Sequence, residues 1–551
     1  MRIFLCAILL SLFFLSCRKQ SITPKQHTPF SLISLQMDSS TTQPFYGISA
    51  DPNIALNFSE PVSRSAATLD IQIRSIPGTV ITSNMTFYRK DSEVILQPAS
   101  PLIPITGYQL FINQALVSAT NDSLSGPSVT VKFITSIDTT DKFPRISDSA
   151  LLDLVEAHTF QYFYSGANPV SGMALERSTS GDIVTTGGSG FGVMAILVGI
   201  YRNFITRAQG LARISAIVSF LTNKAHTYYG AFPHWMNGNT GATIPFSTQD
   251  DGADLVETAY MMEGLLCARQ FFNSPSDTGE ITLRNQINAL WRGVNWSYFS
   301  QGGQHTLFWH WSPDYGWESN QQINGWNEAL ITYVLASGDT DSINRIDYVN
   351  GWAQNGNIRN GNSYYGIPLP LGPAYGGPLF FAHYSFLGLD PHGLSDEYAN
   401  YWTQDTAQTM INYAYCVANP LHYNGYGPDC WGLTASDDNF SGYSAHSPTN
   451  DLGVISPTAA ISSMPYSPVQ SMNALRYFYY KLGDKIWGQY GFTDAFDLTN
   501  IWFDNQYLAI DQGPEIVMIE NYRSGLLWNL LMSCPEVKLG LQQLAFQSPF
   551  L

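Results

Sequence analysis

The chain opens with an almost unbroken apolar run, Ile3 to Leu15, set between Met1-Arg2 and the tripeptide LSC that ends at Cys17. A run of that length matches a signal-peptide core and is too short to span a bilayer. From about Phe30 to Ile137 apolar and polar positions alternate. Examples are IALNFSEPVS (Ile54 to Ser63), VILQPASPLIPITGYQLFI (Val94 to Ile112) and SVTVKFITSID (Ser128 to Asp138). Alternation broken by proline, glycine and asparagine predicts short strands and, over roughly a hundred residues, an immunoglobulin-like sandwich with no helix of useful length. After DTTDKFPR (Asp138 to Arg145) the spacing becomes helical, beginning with SDSALLDLVEAHTFQYFYSG, whose serine and aspartate are favourable caps. FGVMAILVGIYRNF, DLVETAYMMEGLLCARQFF, NEALITYVLASG, EYANYWTQDTAQTMINYAY, SPVQSMNALRYFYYKLG and NYRSGLLWNLLMSC continue it. Helices of similar length with long loops fit a toroid of helical hairpins; a solenoid is the alternative, but the chain has no sequence period. The expected divisions are a signal peptide over 1–17, a tether over 18–29, a sandwich over 30–138 and a mainly α domain over 145–551.

Composition narrows the function. The net charge of -17 argues against nucleic acid and anionic membrane surfaces as partners. Aromatic residues make up 14% of the chain, which suits sugar binding, where flat rings stack on pyranose faces. A small residue before Cys17 makes the N-terminus resemble a bacterial lipoprotein signal with Cys17 as the acylated residue. The membrane is then met only through a lipid anchor, with the protein held at the outer membrane and facing the periplasm or the cell surface. Beyond Cys17 stand Cys267, Cys416, Cys430 and Cys534, too scattered for a disulfide framework. Cys416 and Cys430 could pair across their short loop, while Cys267 reads as buried. No CxxC or HxxxH pattern occurs, so no metal site is expected.

Three constellations carry chemistry. In STQDDGADLVETAYMMEGLL, Asp250, Asp254 and Glu257 stand at i, i+4 and i+7 and would share one helix face. Capping by Asp250 or Asp251 would explain one or two of these acids but not a stripe. In LFWHWSPDYGWESNQQINGWNEALITYVL, Trp309, His310, Trp311, Tyr315, Trp317 and Trp326 crowd a loop that enters a helix at Asn327-Glu328. A glutamate there, partly desolvated, can serve as a general acid. In AIDQGPEIVMIENYRSGLLW, Asp511 precedes what reads as a turn and can act as a base on water, while Glu520 and Arg523 suit either a sugar or an i, i+3 ion pair. GGSGFG (Gly187 to Gly192) lacks nucleotide-loop spacing and reads as close packing. GYSAH (Gly442 to His446) lacks the final glycine of a nucleophile elbow. His383 and His446 suit either a ligand or a structural hydrogen bond.

GGSGFGVMAILVGI, HWMNG, DDGADLVETAYMMEGLL, LFWHWSPDYGW, GWNEALI, FFAHYSFLGLDP, CWGLTASD, GYSAHSPTNDLGVISPTAA, LAIDQGP and MIENYRSGLLW together resemble the bacterial endo-β-1,2-glucanase family of glycoside hydrolases, often labelled glucoamylase-like. The similarity runs from about Ser147 to the C-terminus. NFSEPV and the VTVKFIT strand resemble bacterial Ig-like domains. The resemblance implies an (α/α)6 barrel, inverting hydrolysis of β-1,2-linked glucan or its oligosaccharides, and no metal or cofactor. It further implies Glu328 as acid, Asp511 as base, and Asp250, Asp254 and Glu257 as essential carboxylates. Trp309, His310, Trp311, Tyr315, Trp317, Trp326, Asn327, His383, Trp431, His446, Glu520 and Arg523 are the expected sugar-binding set, in a monomeric enzyme. An α-glucan glucoamylase and a catalytically silent glycan-binding lipoprotein are the competing readings.

Overall fold

The computed structural model describes residues 29–339 and 343–551. The signal peptide, Cys17 and nearly all of the tether lie outside the described residues. Among those described, no helix is long and apolar enough to cross a membrane. The chain forms two compact units, one reaching to Leu102 and including Tyr108–Phe133, the other holding Ile103–Gly107 and Ile134–Leu551.

Among the described residues the first unit is built from nine strands: β1 (Leu32–Met37), β2 (Phe45–Ile48), β3 (Ile54–Phe58), β4 (Ile71–Ser75), β5 (Val80–Ile81), β6 (Ser83–Tyr88), β7 (Glu93–Pro98), β8 (Gly107–Ile112) and β9 (Val129–Thr135). They form two sheets, ordered β1-β3-β7-β6 and β2-β9-β8-β4-β5. The period-two pattern sets the faces: Ile54, Leu56 and Phe58 of β3, and Tyr108, Leu110 and Ile112 of β8, are buried. A helix that the sequence pattern did not predict, α1 (Arg64–Asp70), follows β3. It buries only Ala67, so its seven residues carry no apolar stripe to betray it.

The second unit is mainly helical. Its elements are α2 (Asp148–Tyr164), α3 (Thr186–Tyr201), α4 (Arg207–Asn223), α5 (Leu255–Phe271), α6 (Thr278–Gly293), α7 (Leu330–Ser337), a single turn α8 (Arg345–Asp347), α9 (Tyr401–Ala418), α10 (Pro457–Ser462), α11 (Pro468–Ile486), α12 (Ala509–Ser524), α13 (Leu526–Met532) and α14 (Pro535–Gln543). Ser147 caps α2 by accepting from the Ala150 N–H, as its residue type suggests. α3 and α5 pack most intimately. A Cβ on Gly190 would lie 2.2 Å from the Tyr260 carbonyl oxygen, and one on Gly264 2.1 Å from that of Gly190. The glycines of GGSGFG therefore serve close packing, since nothing larger fits between these backbones.

Two sequence expectations fail in this unit. DQGP is not a turn: Asp511 lies in the first turn of α12, which continues through Pro514 to Ser524. Glycine and proline suggest a turn, but Gly513 is needed because a Cβ there would sit 2.4 Å from that of Phe191 on α3. Cys416 and Cys430 are both free and buried, packed in one apolar cluster rather than bonded. Cys267 is buried, as its helical position suggests.

Candidate active site

A cavity of about 460 Å3 opens within the helical unit, and Glu257, Glu328, His234, Arg177, Trp309 and Tyr443 are among the side chains that line it. One wall is built at the start of α5. The helix begins at Leu255, so Asp254 is its cap, accepting from the Val256 and Glu257 N–H groups at 2.9 Å. Asp250 lies upstream in a loop. The three acids therefore do not form a stripe on one helix face; they converge instead on a histidine. Nδ1 of His234 is 3.2 Å from Asp250 Oδ2 and 3.1 Å from Asp254 Oδ2, and its Nε2 is 3.9 Å from Glu257 Oε1. His310 Nε2 approaches the same two aspartates at 3.3 and 3.4 Å, because Asp254 pairs with His310 in a short antiparallel ladder.

This wall shares its charge among five groups. Burial opposes a charge on His234, but Glu257, Asp250 and Asp254 outweigh it and raise its pKa well above the ordinary value. His310 is raised in the same way, against burial, by Asp254 and Asp250. Burial also opposes ionisation of Asp254, yet His234 and His310 hold its carboxyl well below the usual range. Glu257 is lifted to about 7, chiefly by burial, with His234 pulling the other way. Its Oε2 accepts from the Gly187 N–H at 2.6 Å, in the first turn of α3. Ligand atoms of His234, Asp250 and Asp254 lie within 4.8 Å of one another and could share a cation.

The second wall carries Glu328. It stands in a turn just before α7, where Asn327 Oδ1 accepts from the Ala329 N–H at 2.9 Å. The Glu328 carbonyl accepts hydrogen bonds from the Ser385 and Tyr260 hydroxyls, which fixes the backbone and leaves the carboxyl toward the cavity. Burial raises this carboxyl to about 7, with Asp254 and Glu257 adding to the effect.

The third wall is built around Arg177. Arg177 lines the cavity and binds Asp437 at 2.8 and 2.9 Å and Glu176 at 2.9 Å. Behind it Asp437 donates its backbone N–H to Asp494 at 2.7 Å, and Asp494 neighbours Asp511. Burial raises Asp511 to about 7, against the lowering effect of Asp494 beside it. Asp511 is not itself a lining residue; its neighbour Ile510 is. Tyr260, Tyr384 and Tyr443 also line the cavity. Glu176 and Arg177 stand outside every quoted motif, whereas His234, Tyr260, Tyr384, Asp437 and Tyr443 stand inside HWMNG, DDGADLVETAYMMEGLL, FFAHYSFLGLDP, CWGLTASD and GYSAH without a spacing that singles them out.

The expected sugar-binding set divides. Trp309 lines the cavity, and His310 joins the acid wall. Trp311 packs against Tyr228 and Tyr229, while Tyr315 is exposed. Trp317 packs on Tyr298, Phe299 and Phe308. Trp326 is a core residue rather than a sugar platform: it is buried, donates to Gln408 Oε1 at 2.7 Å and lies against Phe386 and Tyr401. Trp431 is likewise buried in a separate apolar cluster. His383 bonds Ser463 Oγ at 3.0 Å, and burial pushes its pKa down to about 3, so it is a neutral structural histidine. His446 is buried, with its pKa lowered to about 4, and only its neighbour Ala445 reaches the cavity. Glu520 and Arg523 do not pair with each other. Glu520 binds Arg202 at 2.5 Å and Arg523 binds Asp153 at 2.6 Å, in an ion network toward the far end of α12 from Asp511.

The geometry can be set beside known proteins. Residues 320–535 match the family described as "Putative glucoamylase", and residues 27–135 match the bacterial Ig-like domain. An exo β-1,2-glucooligosaccharide sophorohydrolase (non-reducing end) of Parabacteroides distasonis is 46% identical over 422 residues, which are 72% of this chain. The chain spans 58% of the length of that curated relative. The endo-β-1,2-glucanase of Chitinophaga pinensis, solved as a complex with sophorotriose and glucose, is 52% identical with a TM-score of 0.72, covering 74% of this chain and 100% of its own. The structure of a β-1,2-glucanase from Parabacteroides distasonis is 37% identical with a TM-score of 0.70, covering 94% of this chain and 74% of its own. At these identities and coverages the chain belongs to the bacterial β-1,2-glucanase-like family, and it carries an N-terminal bacterial Ig-like domain.

Proposed function

We propose that this chain is a glycoside hydrolase that cleaves β-1,2-glucan or its oligosaccharides with inversion at the anomeric carbon. Glu328 carries the reading: it lines the cavity and its carboxyl is lifted to about 7, so that it retains a proton near neutrality. The substrate class rests on the relatives named for β-1,2-glucan and its oligosaccharides.

In this reading Glu328 gives its proton to the glycosidic oxygen as the bond from that oxygen to the anomeric carbon breaks. A water on the opposite face bonds to the carbon, and its proton passes to Asp511. Because Asp511 stands one layer behind the lining, that proton travels through an intervening water. Inversion needs ~6.5–9.5 Å between the two carboxyls for the nucleophilic water to fit. Glu257 and His234 line the cavity and offer hydrogen bonds to sugar hydroxyls, Asp250 and Asp254 hold His234 and His310 in place, and Trp309 offers a ring face. The scaffold is proposed to be an (α/α)6 barrel. Its support is an alternation in which α3, α5, α7, the turns at Leu379–Leu387, α10 and α12 are almost wholly buried, each following a more exposed helical segment. Export with a lipid on Cys17 belongs to the same proposal, supported by the Ile3 to Leu15 run and LSC; loss of lipid labelling in Cys17→Ala would bear it out.

The deciding experiment follows the anomer and chain length of the products released from β-1,2-glucan over time. The expected result is initial release of the α-anomer. Glucose from starch with nothing from β-1,2-glucan would overturn the reading in favour of an α-glucan glucoamylase, and no hydrolysis of either would leave a glycan-binding protein.

A further inference from the structure

Asp511 and Asp494 are 4% and 0% exposed, and they meet between the first turn of α12 and the turn at Asp494. Asp494 Oδ2 is committed to the Asp437 N–H at 2.7 Å. Asp494 Oδ1 and Asp511 Oδ2 have no hydrogen-bond donor among the described residues. The nearby cation is Arg177, already held by Glu176 and Asp437. The other titratable groups facing the pair are Asp504, Glu515 and the tyrosines Tyr162, Tyr384 and Tyr443, and none of them brings a positive charge.

Two neighbouring buried carboxyls, whose nearest positive side chain is already held by Glu176 and Asp437, do not both ionise, so one proton is shared between them. The two positions are not equivalent. Asp511 is in the first turn of a helix, where the dipole and unpaired N–H groups favour negative charge. Asp494 has no such advantage.

We propose that Asp494 is a positioning residue for Asp511: it carries the shared proton, donates it in a hydrogen bond to Asp511 and holds that carboxylate in the ionised form that accepts a proton from water. The inference rests on the reading of Asp511 as the base. When Asp511 takes the water's proton the pair becomes doubly protonated, and release of one proton to solvent restores it.

Two variants and one spectrum test this. Asp494→Asn keeps a donor toward Asp511 and an acceptor for Asp437, whereas Asp494→Ala loses both. Loss of one hydrogen bond to a carboxylate moves a pKa by about one unit. The acid limb of kcat against pH is therefore expected to move up by about one unit in Asp494→Ala and by less in Asp494→Asn. If Asp494→Ala does not fold, infrared spectra at pH 7 decide alone. In a difference spectrum the wild type is expected to carry one more protonated carboxyl than Asp494→Asn, above the band that Glu257 and Glu328 give to both. An unmoved acid limb with equal loss of kcat at every pH, or spectra without that difference, would overturn the proposal and make Asp494 merely structural. Full hydrolysis by Asp511→Asn would instead overturn the base reading, and the infrared comparison would still decide the shared proton.

Discussion

The backbone N–H of Gly187 meets Glu257 Oε2 at 2.6 Å, tying the first turn of α3 to an acid of the cavity wall. A Cβ at residue 187 would lie 2.7 Å from that oxygen and 2.8 Å from Tyr260 Cδ2. In an open helix, replacing glycine by alanine would stabilise by about 1 kcal/mol. Here the clash dominates, because Glu257 and Tyr260 are both buried and cannot swing away. Gly187→Ala is expected to lose about 1–3 kcal/mol of stability and to lower kcat/KM together with it, as measured by denaturant unfolding and by initial rates.

Glu328 should act on activity and stability in opposite directions. As an acid with its carboxyl lifted to about 7, it should set the alkaline limb of kcat near that value. Glu328→Gln is expected to lower kcat by ~10²–10⁴ and to remove the limb. The linkage has a definite sign. A carboxyl whose folded pKa is raised costs nothing below its unfolded value of ~4.3, and the cost of keeping it buried grows as pH climbs toward the folded value. Glu328→Gln should therefore match the wild type in stability at pH 4 and exceed it by about 1–3 kcal/mol at pH 8. Equal stability of the two proteins at pH 8 would refute the burial argument.

Asp254 has two separable tasks, capping α5 and pairing with His234 and His310. Asparagine can keep the first but not the second. Asp254→Ala loses a cap, which costs about 0.5–2 kcal/mol, and strips a buried partner from two imidazoliums, which raises the total to about 3–5 kcal/mol. Asp254→Asn should cost less by the cap's share alone, about 0.5–2 kcal/mol, while activity falls in both. The ion-pair share depends on pH at both ends. The depressed Asp254 supplies its part above its unfolded value of ~3.9 and loses it as pH falls through the folded one. The raised His234 supplies its part below ~6.5 and loses it as pH rises through its folded value. Chemical denaturation at pH 5 and pH 9 should show the gap between wild type and each variant narrowing at the higher pH, while the gap between the two variants, which is the cap, stays the same.

Much of this is legible in the sequence where a single period governs the structure. The alternation of Ile54, Leu56 and Phe58 marks a sandwich face, and Ser147 marks the start of α2. Glu328 is also legible, since an acid behind an aromatic loop at a helix start has few bland explanations. Relations set by tertiary packing are not. Asp511 reads as a turn residue because Gly513 and Pro514 follow it, and only the approach of Phe191 explains that glycine inside a helix. Asp250, Asp254 and Glu257 have helical spacing but only the last is helical; what gathers them is His234, from a distant loop. Arg177 is an isolated cation until Asp437, 260 residues later, folds onto it.

The tryptophans of the aromatic loop look alike in sequence and should behave in opposite ways. Trp309 is half-buried on the cavity, whereas Trp326 is 4% exposed, with its indole N–H bound to Gln408 and its ring against Phe386 and Tyr401. Removing a core ring leaves a cavity and an unpaired Gln408, so Trp326→Ala is expected to cost about 3–5 kcal/mol. Any loss of activity there should track loss of folded protein. Trp309→Ala removes a surface on which a sugar can rest. A loss of about 1.4 kcal/mol in binding is a tenfold rise in KM, and unfolding should shift little. Denaturant midpoints and KM measured on the same preparations separate the two. A large midpoint shift in Trp309→Ala with unchanged KM would make Trp309 a packing residue and remove the ring face from the proposed sugar site.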